Sequence, residues 1–270
     1  MALGKHNVVE ERWGYDVNAW ALQEARARGA VDKIAKLPLA LQDAELVILS
    51  MPVKQILKLL KEISPFLQKG ILVTDVGSTK KMIVEAMENV LPPGVTGIGG
   101  HPMAGSEKAG ITAADPLLLQ GAAYLLTPTK KTPRAALQKI EKTILAIGAH
   151  PLILSPEEHD RLTALISHLP QFVSAALVNT LRNYANDHKL LQTIAGRGFK
   201  DTTRIAMGNA EMWYDIFTTN KVYLMDSLKN FLEELHALVD CLEKGKGEET
   251  VELLKTAGLL RSSFCKEQIR

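Results

Sequence analysis

His101 lies in the stretch GGHPMAGSEKAG at positions 99–110, which combines an imidazole, a hydroxyl and a carboxylate with closely spaced glycines. Gly and Pro at this density predict a shaped loop rather than a regular helix or strand. Because Gly100 and Pro102 flank His101, we expect its ring to be aimed rather than mobile, as a general base requires. The alternative is a glycine-rich turn whose histidine caps a helix, and the loop alone leaves both open.

A second polar stretch, DVGSTK at positions 75–80, follows a predicted strand that ends at Thr74. It superficially suggests a phosphate loop, but it lacks the order G-x-x-x-x-G-K-[ST], so we exclude nucleoside triphosphate binding. Ser78 has two interpretations, which are compatible with each other. Its hydroxyl could orient a reacting group, or it could cap the helix that follows.

Two further stretches lie in the C-terminal half. SHLP at positions 167–170 places His168 beside Pro170, where a helix kink can free backbone groups to face a cavity. GFKDTTR at positions 198–204 is a glycine-bounded mix of charges and hydroxyls. Taken alone, such a mix is more often a solvated surface loop than a catalytic segment.

The four stretches, in this order and across nearly the whole chain, resemble the prephenate and arogenate dehydrogenase family. The resemblance implies oxidative decarboxylation of prephenate or arogenate in tyrosine biosynthesis, with hydride transfer to NAD. Such chemistry needs a base at the ring hydroxyl, a cation for the substrate carboxylate and a dry pocket. One alternative is a dimeric binding protein of the same fold that is catalytically impaired through loss of the pyrophosphate loop. Another is a related dehydrogenase for another small carboxylic acid.

The resemblance also implies roles for single residues. His101 matches the base and Ser78 the serine that orients it, while Arg204 matches the arginine that clamps a substrate carboxylate. The other implied substrate-binding residues are Lys200, His168, Gln171, Ser106 and Glu107; the implied cofactor-binding residues are Asp16, Ser50, Pro52 and Asp75. Many family members carry a histidine where this chain has Gln171, so the choice between prephenate and arogenate stays open. We expect no metal.

The N-terminal segment bears on the cofactor. Residues 13–16 read as a strand ending in a carboxylate, and Asn18 then caps a helix to about Gly29. At the tip of such a strand Asp16 would hold the adenosine ribose and repel a 2′-phosphate, which favours NAD over NADP; the alternative is a capping residue in a turn. No G-x-G-x-x-G precedes Asp16. We therefore expect the chain to lack about 20 to 30 residues of a typical dinucleotide unit, through a mis-called start, truncation or degeneration.

The elements around these residues alternate between strand and helix as far as position 154. Predicted strands at 45–50, 71–74, 95–98, 123–127 and 151–154 alternate with helices at 52–63, from 79 to before 92, and at 133–147. This pattern predicts a doubly wound, mostly parallel, Rossmann-like sheet, N-terminally incomplete. It defines a predicted dinucleotide-binding domain at 1–154.

From the capping box at 155–158 onward only helical patterns remain, which predicts an all-helical substrate and dimerisation domain at 155–270. We expect a long helix from Pro156 to about Tyr184, kinked at Pro170. An apolar stripe follows at Val222, Met225, Leu228, Leu232, Leu235, Val239 and Leu242. The stripe exceeds what a small bundle hides, so we predict a homodimer through these helices rather than a self-contained bundle.

Composition limits the remaining options. The net charge of +2 and scattered basic residues give no case for nucleic acid. We expect no membrane span and no signal peptide. We interpret Cys241 and Cys265 as reduced thiols of a cytoplasmic protein; the alternative is a disulfide. The remaining histidines, His6, His150, His159, His188 and His236, have no evident partners in the sequence and are expected to be surface or core residues.

Overall fold

The computed structural model describes residues 1–105 and 110–264, apart from the side chains of 185–187. The chain forms two compact units, Met1–Lys221 and Val222–Arg270. The strands among the described residues are β1 (Trp13–Gly14), β2 (Lys33–Ile34), β3 (Leu46–Leu49), β4 (Leu72–Asp75), β5 (Thr96–Pro102), β6 (Ala123–Thr127) and β7 (His150–Ile153). The α-helices are α1 (Ala2–Lys5), α2 (Ala19–Ala27), α3 (Val53–Ile63), α4 (Lys81–Val90), α5 (Arg134–Ala146), α6 (Pro156–Thr163), α7 (Leu169–Thr180), α8 (His188–Ile194), α9 (Arg197–Thr203), α10 (Ala210–Thr219), α11 (Lys221–Glu243) and α12 (Gly247–Ser263).

Five strands form one sheet in the order β3-β4-β5-β6-β7, in which only the β5–β6 pair is antiparallel. β1 and β2 pair in parallel as a separate two-stranded sheet. Apolar residues of α3 and α4, such as Ile56 and Ile83, pack with Val73 on one face of the large sheet. Ile140 of α5 packs with Ile98 in a second cluster. Helices on both faces of a mostly parallel sheet confirm the predicted doubly wound fold.

The glycine-rich segment begins as strand rather than loop, which corrects the prediction for positions 99–102. His101 pairs with Leu125 in the antiparallel ladder between β5 and β6. A Cβ on Gly100 would lie 2.6 Å from the backbone oxygen of Asp75, so glycine is required by close approach of the neighbouring chain. Gly99 and Gly100 therefore serve strand packing, and His101 lies within a strand.

The helix that begins at Pro156 is interrupted before Pro170. Ser155 caps α6 by accepting a hydrogen bond from the backbone N–H of Glu158, as the capping box predicts. A π-helical turn then covers Ala164–His168, and Pro170 lies in the first turn of α7. The helical stretch Pro156–Tyr184 is long and apolar enough to cross a membrane by length and composition alone. It also carries buried polar side chains, including Asp160 and His168.

Two further predictions meet the structure in the C-terminal half. GFKDTTR lies in helix α9 and the first residue of the 3₁₀ turn Arg204–Met207, so it is helical rather than a loop. Its charged residues Lys200, Asp201 and Arg204 are exposed, as the alternative of a solvated charge cluster predicts. In α11 much of the apolar stripe is exposed, with Val222 and Leu242 at 71% and 70%. Cys241 is a buried free thiol, whereas Cys265 lies outside the described residues. The domain boundary near Ser155 stays a prediction.

Candidate active site

Three polar residues lie at or just after the carboxyl ends of the adjacent parallel strands β3, β4 and β5. Ser50 comes after β3, Ser78 lies on the turn after β4, and His101 is the penultimate residue of β5. Because these strands run in the same direction, their carboxyl ends lie along one edge of the sheet. In open α/β sheets this is the edge where ligands bind.

The His101 side chain contacts α6 through a second histidine. His101 Nδ1 lies 2.9 Å from His159 Nε2, and the two ring centroids are 5.1 Å apart. His159 is fully buried. The expectation that His159 is a histidine without partners is therefore wrong: it is in direct contact with the proposed base.

His159 is in turn held by its neighbour in the sequence. His159 Nδ1 lies 2.8 Å from Asp160 Oδ1, and the Asp160 carboxylate also accepts the backbone N–H groups of Lys80, at 2.7 Å, and Lys81, at 3.0 Å. Those N–H groups belong to the first turn of α4, so Asp160 caps that helix from another element. Ser78 does not cap α4, because the residue at the N-cap position is Lys80. The capping interpretation of Ser78 is therefore wrong.

A buried ion pair between Lys80 and Asp75 contacts β5 at Gly100, the residue before His101. The Lys80 ammonium and the Asp75 carboxylate are both fully buried and in contact, and Lys80 also donates to the backbone oxygen of Gly100 at 2.7 Å. Asp75 accepts the backbone N–H groups of Gly77, at 2.7 Å, and Gly100, at 3.1 Å. These partners of Asp75 all belong to the protein, and through them it positions the loop and the strand. Its assignment as a cofactor contact stays a prediction.

A third histidine, His168, is buried and is linked to Asp160 through Asn220. Asn220 donates through Nδ2 to the backbone oxygen of Asp160, at 2.7 Å, and lies 3.1 Å from His168 Nδ1. Trp213 packs edge-on against the His168 ring, with 6.2 Å between centroids. His159 and His168 are nine residues apart, which is about two and a half turns of a regular α-helix and would place them on opposite faces. The π-helical turn between them changes this angle.

Burial governs the protonation of all three rings. Burial lowers the pKa of His101 well below the ordinary value, and repulsion from His159 and His168, when these are protonated, and from Lys80 lowers it further. Burial also lowers the pKa of His159, although Asp160 opposes the shift, and it lowers the pKa of His168 to about 4. At neutral pH these rings are therefore uncharged. A neutral imidazole in a dry site can accept a proton, as a general base must.

His168 makes stability depend on pH. Its pKa is lowered from 6.5 to about 4 in the fold, so between these values the unfolded chain binds a proton that the folded chain does not. Stability is therefore full above the unfolded value and falls as the pH is lowered. We expect His168 to reduce the free energy of unfolding by about 3 kcal/mol across this window.

Urea titrations at a series of pH values measure the effect. His168→Gln should lose this component of the pH dependence, whereas His150→Gln, at an exposed ring on β7, should keep it. Equal slopes for wild type and His168→Gln between pH 6.5 and 4 would contradict the assignment.

The predicted substrate residues divide into buried and exposed groups. His168 and Gln171 are buried, and Gln171 follows one helical turn after His168 on α7. Lys200 and Arg204 are exposed, on α9 and at the start of the 3₁₀ turn, and both of these elements pack against α7. Ser106 and Glu107 lie outside the described residues. The substrate role of each stays a prediction.

The remaining predicted cofactor residues are accessible. Asp16, Ser50 and Pro52 are exposed, at or near the ends of β1 and β3. Asn18, and not Asp16, caps α2, since its side chain accepts the N–H groups of Trp20 and Ala21. Asp16 accepts the N–H of Asn18 at 2.8 Å. The capping interpretation of Asp16 is thus wrong, and its exposed carboxylate can meet a ligand.

Comparison with known proteins covers nearly the whole chain. The sequence model of the prephenate dehydrogenase nucleotide-binding domain matches residues 2–159, and that of the prephenate dehydrogenase dimerization domain matches residues 155–256. A prephenate dehydrogenase of Bacillus subtilis is 35% identical over 259 residues, which are 95% of this chain and 70% of that protein.

Solved structures agree. A crystal structure of prephenate dehydrogenase from Aquifex aeolicus, in complex with hydroxyphenyl propionate and NAD+, superposes with a TM-score of 0.90 at 34% identity, covering 97% of this chain and 92% of that one. The Synechocystis arogenate dehydrogenase structure superposes with a TM-score of 0.80 at 31% identity, covering 93% and 90%.

Proposed function

The chain belongs to the prephenate dehydrogenase family, and we propose that it oxidatively decarboxylates prephenate or arogenate in the cytoplasm, with NAD as the hydride acceptor. One observation carries the proposal. His101 is a partly buried, uncharged imidazole on strand β5, at the edge where open α/β sheets bind ligands, and it is hydrogen-bonded through Nδ1 to His159. A base of this kind is what a ring hydroxyl requires when its carbon is oxidised.

The chain's own groups divide the work. His101 takes the proton of the ring hydroxyl as hydride leaves the carbon that bears it, and carbon dioxide then departs as the ring becomes aromatic. Ser78, on the turn after β4, orients the hydroxyl. The Arg204 guanidinium binds a substrate carboxylate by paired hydrogen bonds, with Lys200 one helical turn away. His168, Gln171, Ser106 and Glu107 complete the proposed substrate contacts.

The cofactor's adenosine end has a chemically suitable partner. The exposed Asp16 carboxylate at the end of β1 can accept hydrogen bonds from ribose hydroxyls and would repel a 2′-phosphate. Ser50 and Pro52, exposed after β3, are the other proposed contacts. When bound, a nicotinamide supplies the acceptor for the hydride. The backbone N–H of Lys54 in the first turn of α3 already donates to Asp215, so we assign no phosphate contact there.

Turnover with each substrate and cofactor tests the proposal. Prephenate and arogenate, each with NAD or NADP, are assayed by nicotinamide absorbance and by product analysis. We expect NAD to be reduced with at least one of the two substrates and NADP to be used far less well. No turnover of either substrate refutes the proposal; turnover of another small carboxylic acid would support the related-dehydrogenase alternative.

A catalytically impaired binding protein is the second candidate. The strand that leads to the proposed cofactor residue Asp16, β1, pairs with β2 in a separate two-stranded sheet and not with the five-stranded sheet that carries His101. Titration calorimetry of the 270-residue chain with NAD separates the two. Micromolar binding contradicts the impaired alternative, and absence of binding favours it.

We also propose that the protein is a homodimer through its C-terminal helices. The matched dimerization domain supports this, and so do the exposed apolar residues along α11. Burying such a stripe against a second copy removes apolar surface from water.

Arg204 gives a direct test of the carboxylate contact. Arg204→Ala is expected to raise KM for the substrate by roughly 10- to 100-fold, the value of a charge-assisted hydrogen bond, with a smaller change in kcat. Arg197→Ala removes the same side chain from an exposed position on α9 and should leave KM unchanged. Steady-state kinetics measure both, and an unchanged KM in Arg204→Ala would remove Arg204 from the site.

A further inference from the structure

We propose that His159 and Asp160 are positioning residues that fix the tautomer of His101, so that His101 presents an unprotonated Nε2 to the substrate hydroxyl. The inference rests on the proposed function, because it assigns this pair a part in the same reaction. It concerns where the protons lie along a chain of three side chains, and it follows from their donor and acceptor chemistry.

Asp160 determines which nitrogen of His159 carries the proton. The Asp160 carboxylate already accepts two backbone N–H groups, from Lys80 and Lys81, and an ionised carboxylate has no proton to donate. The contact at 2.8 Å between Asp160 Oδ1 and His159 Nδ1 therefore requires a proton on Nδ1. A neutral imidazole carries one N–H, so His159 Nε2 is left as an acceptor.

The same reasoning applies to the next contact. His159 Nε2 lies 2.9 Å from His101 Nδ1, and because Nε2 is an acceptor, Nδ1 of His101 must be the donor. The single proton of neutral His101 is then on Nδ1, and its Nε2 carries a lone pair. The opposite tautomer would present an N–H to the substrate hydroxyl and could not take its proton.

The surroundings hold the pair in place. His159 and Asp160 are buried, the backbone oxygen of His159 accepts the Thr163 hydroxyl at 2.9 Å, and that of Asp160 accepts Asn220 Nδ2 at 2.7 Å. Because Asp160 also caps α4, rotation of its carboxylate would break two further hydrogen bonds. A base oriented by a second group that is itself oriented by a third is a recurrent catalytic arrangement.

During the reaction the proton moves from the substrate oxygen to His101 Nε2. Nδ1 keeps its proton and its hydrogen bond to His159, so the positive charge that develops on His101 faces a neutral acceptor backed by a carboxylate. No proton needs to reach Asp160. The pair thus acts through His101 and does not touch the reacting atoms.

Asp160→Asn tests which partner donates in the hydrogen bonds that join His101, His159 and Asp160. Asp160 Oδ1 both accepts the Lys80 N–H and contacts His159, whereas Oδ2 accepts the Lys81 N–H. An amide whose Nδ2 takes the place of Oδ1 keeps the Lys81 contact, gives up the Lys80 contact and reverses both tautomers, which places a proton on His101 Nε2. We expect kcat to fall by roughly 10²–10⁴-fold with a much smaller change in KM, by analogy with loss of the orienting aspartate in serine proteases. Glu158→Gln, an exposed carboxylate-to-amide change on the same helix, is the matched control and should keep full activity.

Nitrogen-15 spectra of the imidazoles give a readout that a purely structural role would not move. In the wild-type protein near neutral pH, we expect His101 to show a protonated Nδ1 and an unprotonated Nε2, with the reverse in Asp160→Asn. A wild-type spectrum with a protonated Nε2 overturns the proposal, even where a variant fails to fold.

Activity measurements distinguish failure of the positioning role of His159 and Asp160 from failure of the proposed reaction. Full activity of a folded His159→Phe variant, with an unchanged pH profile, overturns the positioning role while leaving the proposed reaction intact. Conversely, absence of turnover by the wild type refutes the proposed reaction, and the wild-type spectrum still decides the tautomer.

Discussion

His101→Asn is expected to lower kcat by roughly 10²–10⁴-fold, the range for loss of a general base. The asparagine amide can approximate the Nδ1 contact to His159, which lies 2.9 Å away in the wild type, but it has no atom at the position of Nε2. The variant should therefore fold and bind substrate while failing to take the hydroxyl proton. Steady-state kinetics of nicotinamide reduction, with a thermal melt to confirm folding, measure the effect.

The matched control is His150→Asn, the same change at an exposed ring on β7. It should retain wild-type kcat. Because burial holds the pKa of His101 well below 6.5, the wild-type rate should lose its base only at pH values below the ordinary histidine range. A His101→Asn variant with kcat within a few-fold of wild type would show that another group takes the proton.

The sequence was informative about His101 because local and global signals agree there. A histidine between glycine and proline marks a constrained position, and the alternation of strands and helices predicts which edge of the sheet it occupies. The loop prediction was wrong from position 99 to 102 for a reason that spacing cannot reveal. Gly100 is required by a contact with the backbone of Asp75, 25 positions earlier in the chain.

His159 shows the opposite case. In a regular helix it would face away from His168, so nothing in the spacing joins the two rings, and its partner Asp160 reads as an ordinary helix carboxylate. Their environment arises because α6 packs against α4, where the backbone N–H groups of Lys80 and Lys81 meet the Asp160 carboxylate. The dipeptide His-Asp beside a capping box was the available signal, and it is weak without the tertiary contact.

Arg204 lies between these cases. The motif that ends at Arg204 resembles that of the family, but the spacing of its residues does not predict a helix, because glycine and threonine disfavour helix interiors. The segment is helical where α9 packs on α7. Tertiary packing therefore decided the local structure. The exposure of Arg204 leaves its carboxylate contact to be tested by kinetics.

Lys80→Met is expected to lower the free energy of unfolding by about 3–5 kcal/mol, because it leaves the Asp75 carboxylate buried without its partner. Methionine preserves most of the volume, so the loss reports the ion pair rather than a cavity. Chemical denaturation followed by far-ultraviolet circular dichroism measures it. Lys139→Met, which removes a lysine from an exposed pair with Glu45, should have a far smaller effect, because water and salt screen exposed charges.

A double variant separates charge from packing. Asp75→Asn removes the negative charge while keeping oxygen and nitrogen atoms near the backbone of Gly77 and Gly100, so Lys80→Met with Asp75→Asn should be more stable than Lys80→Met alone. If the double variant were less stable by the sum of the two single effects, the pair would not be coupled.

Lys80 also affects the proposed catalytic histidine. It donates to the backbone oxygen of Gly100, next to His101, and its charge helps to hold the pKa of the His101 ring down. A folded Lys80→Met variant should accordingly show an acid limb in its rate profile shifted to higher pH.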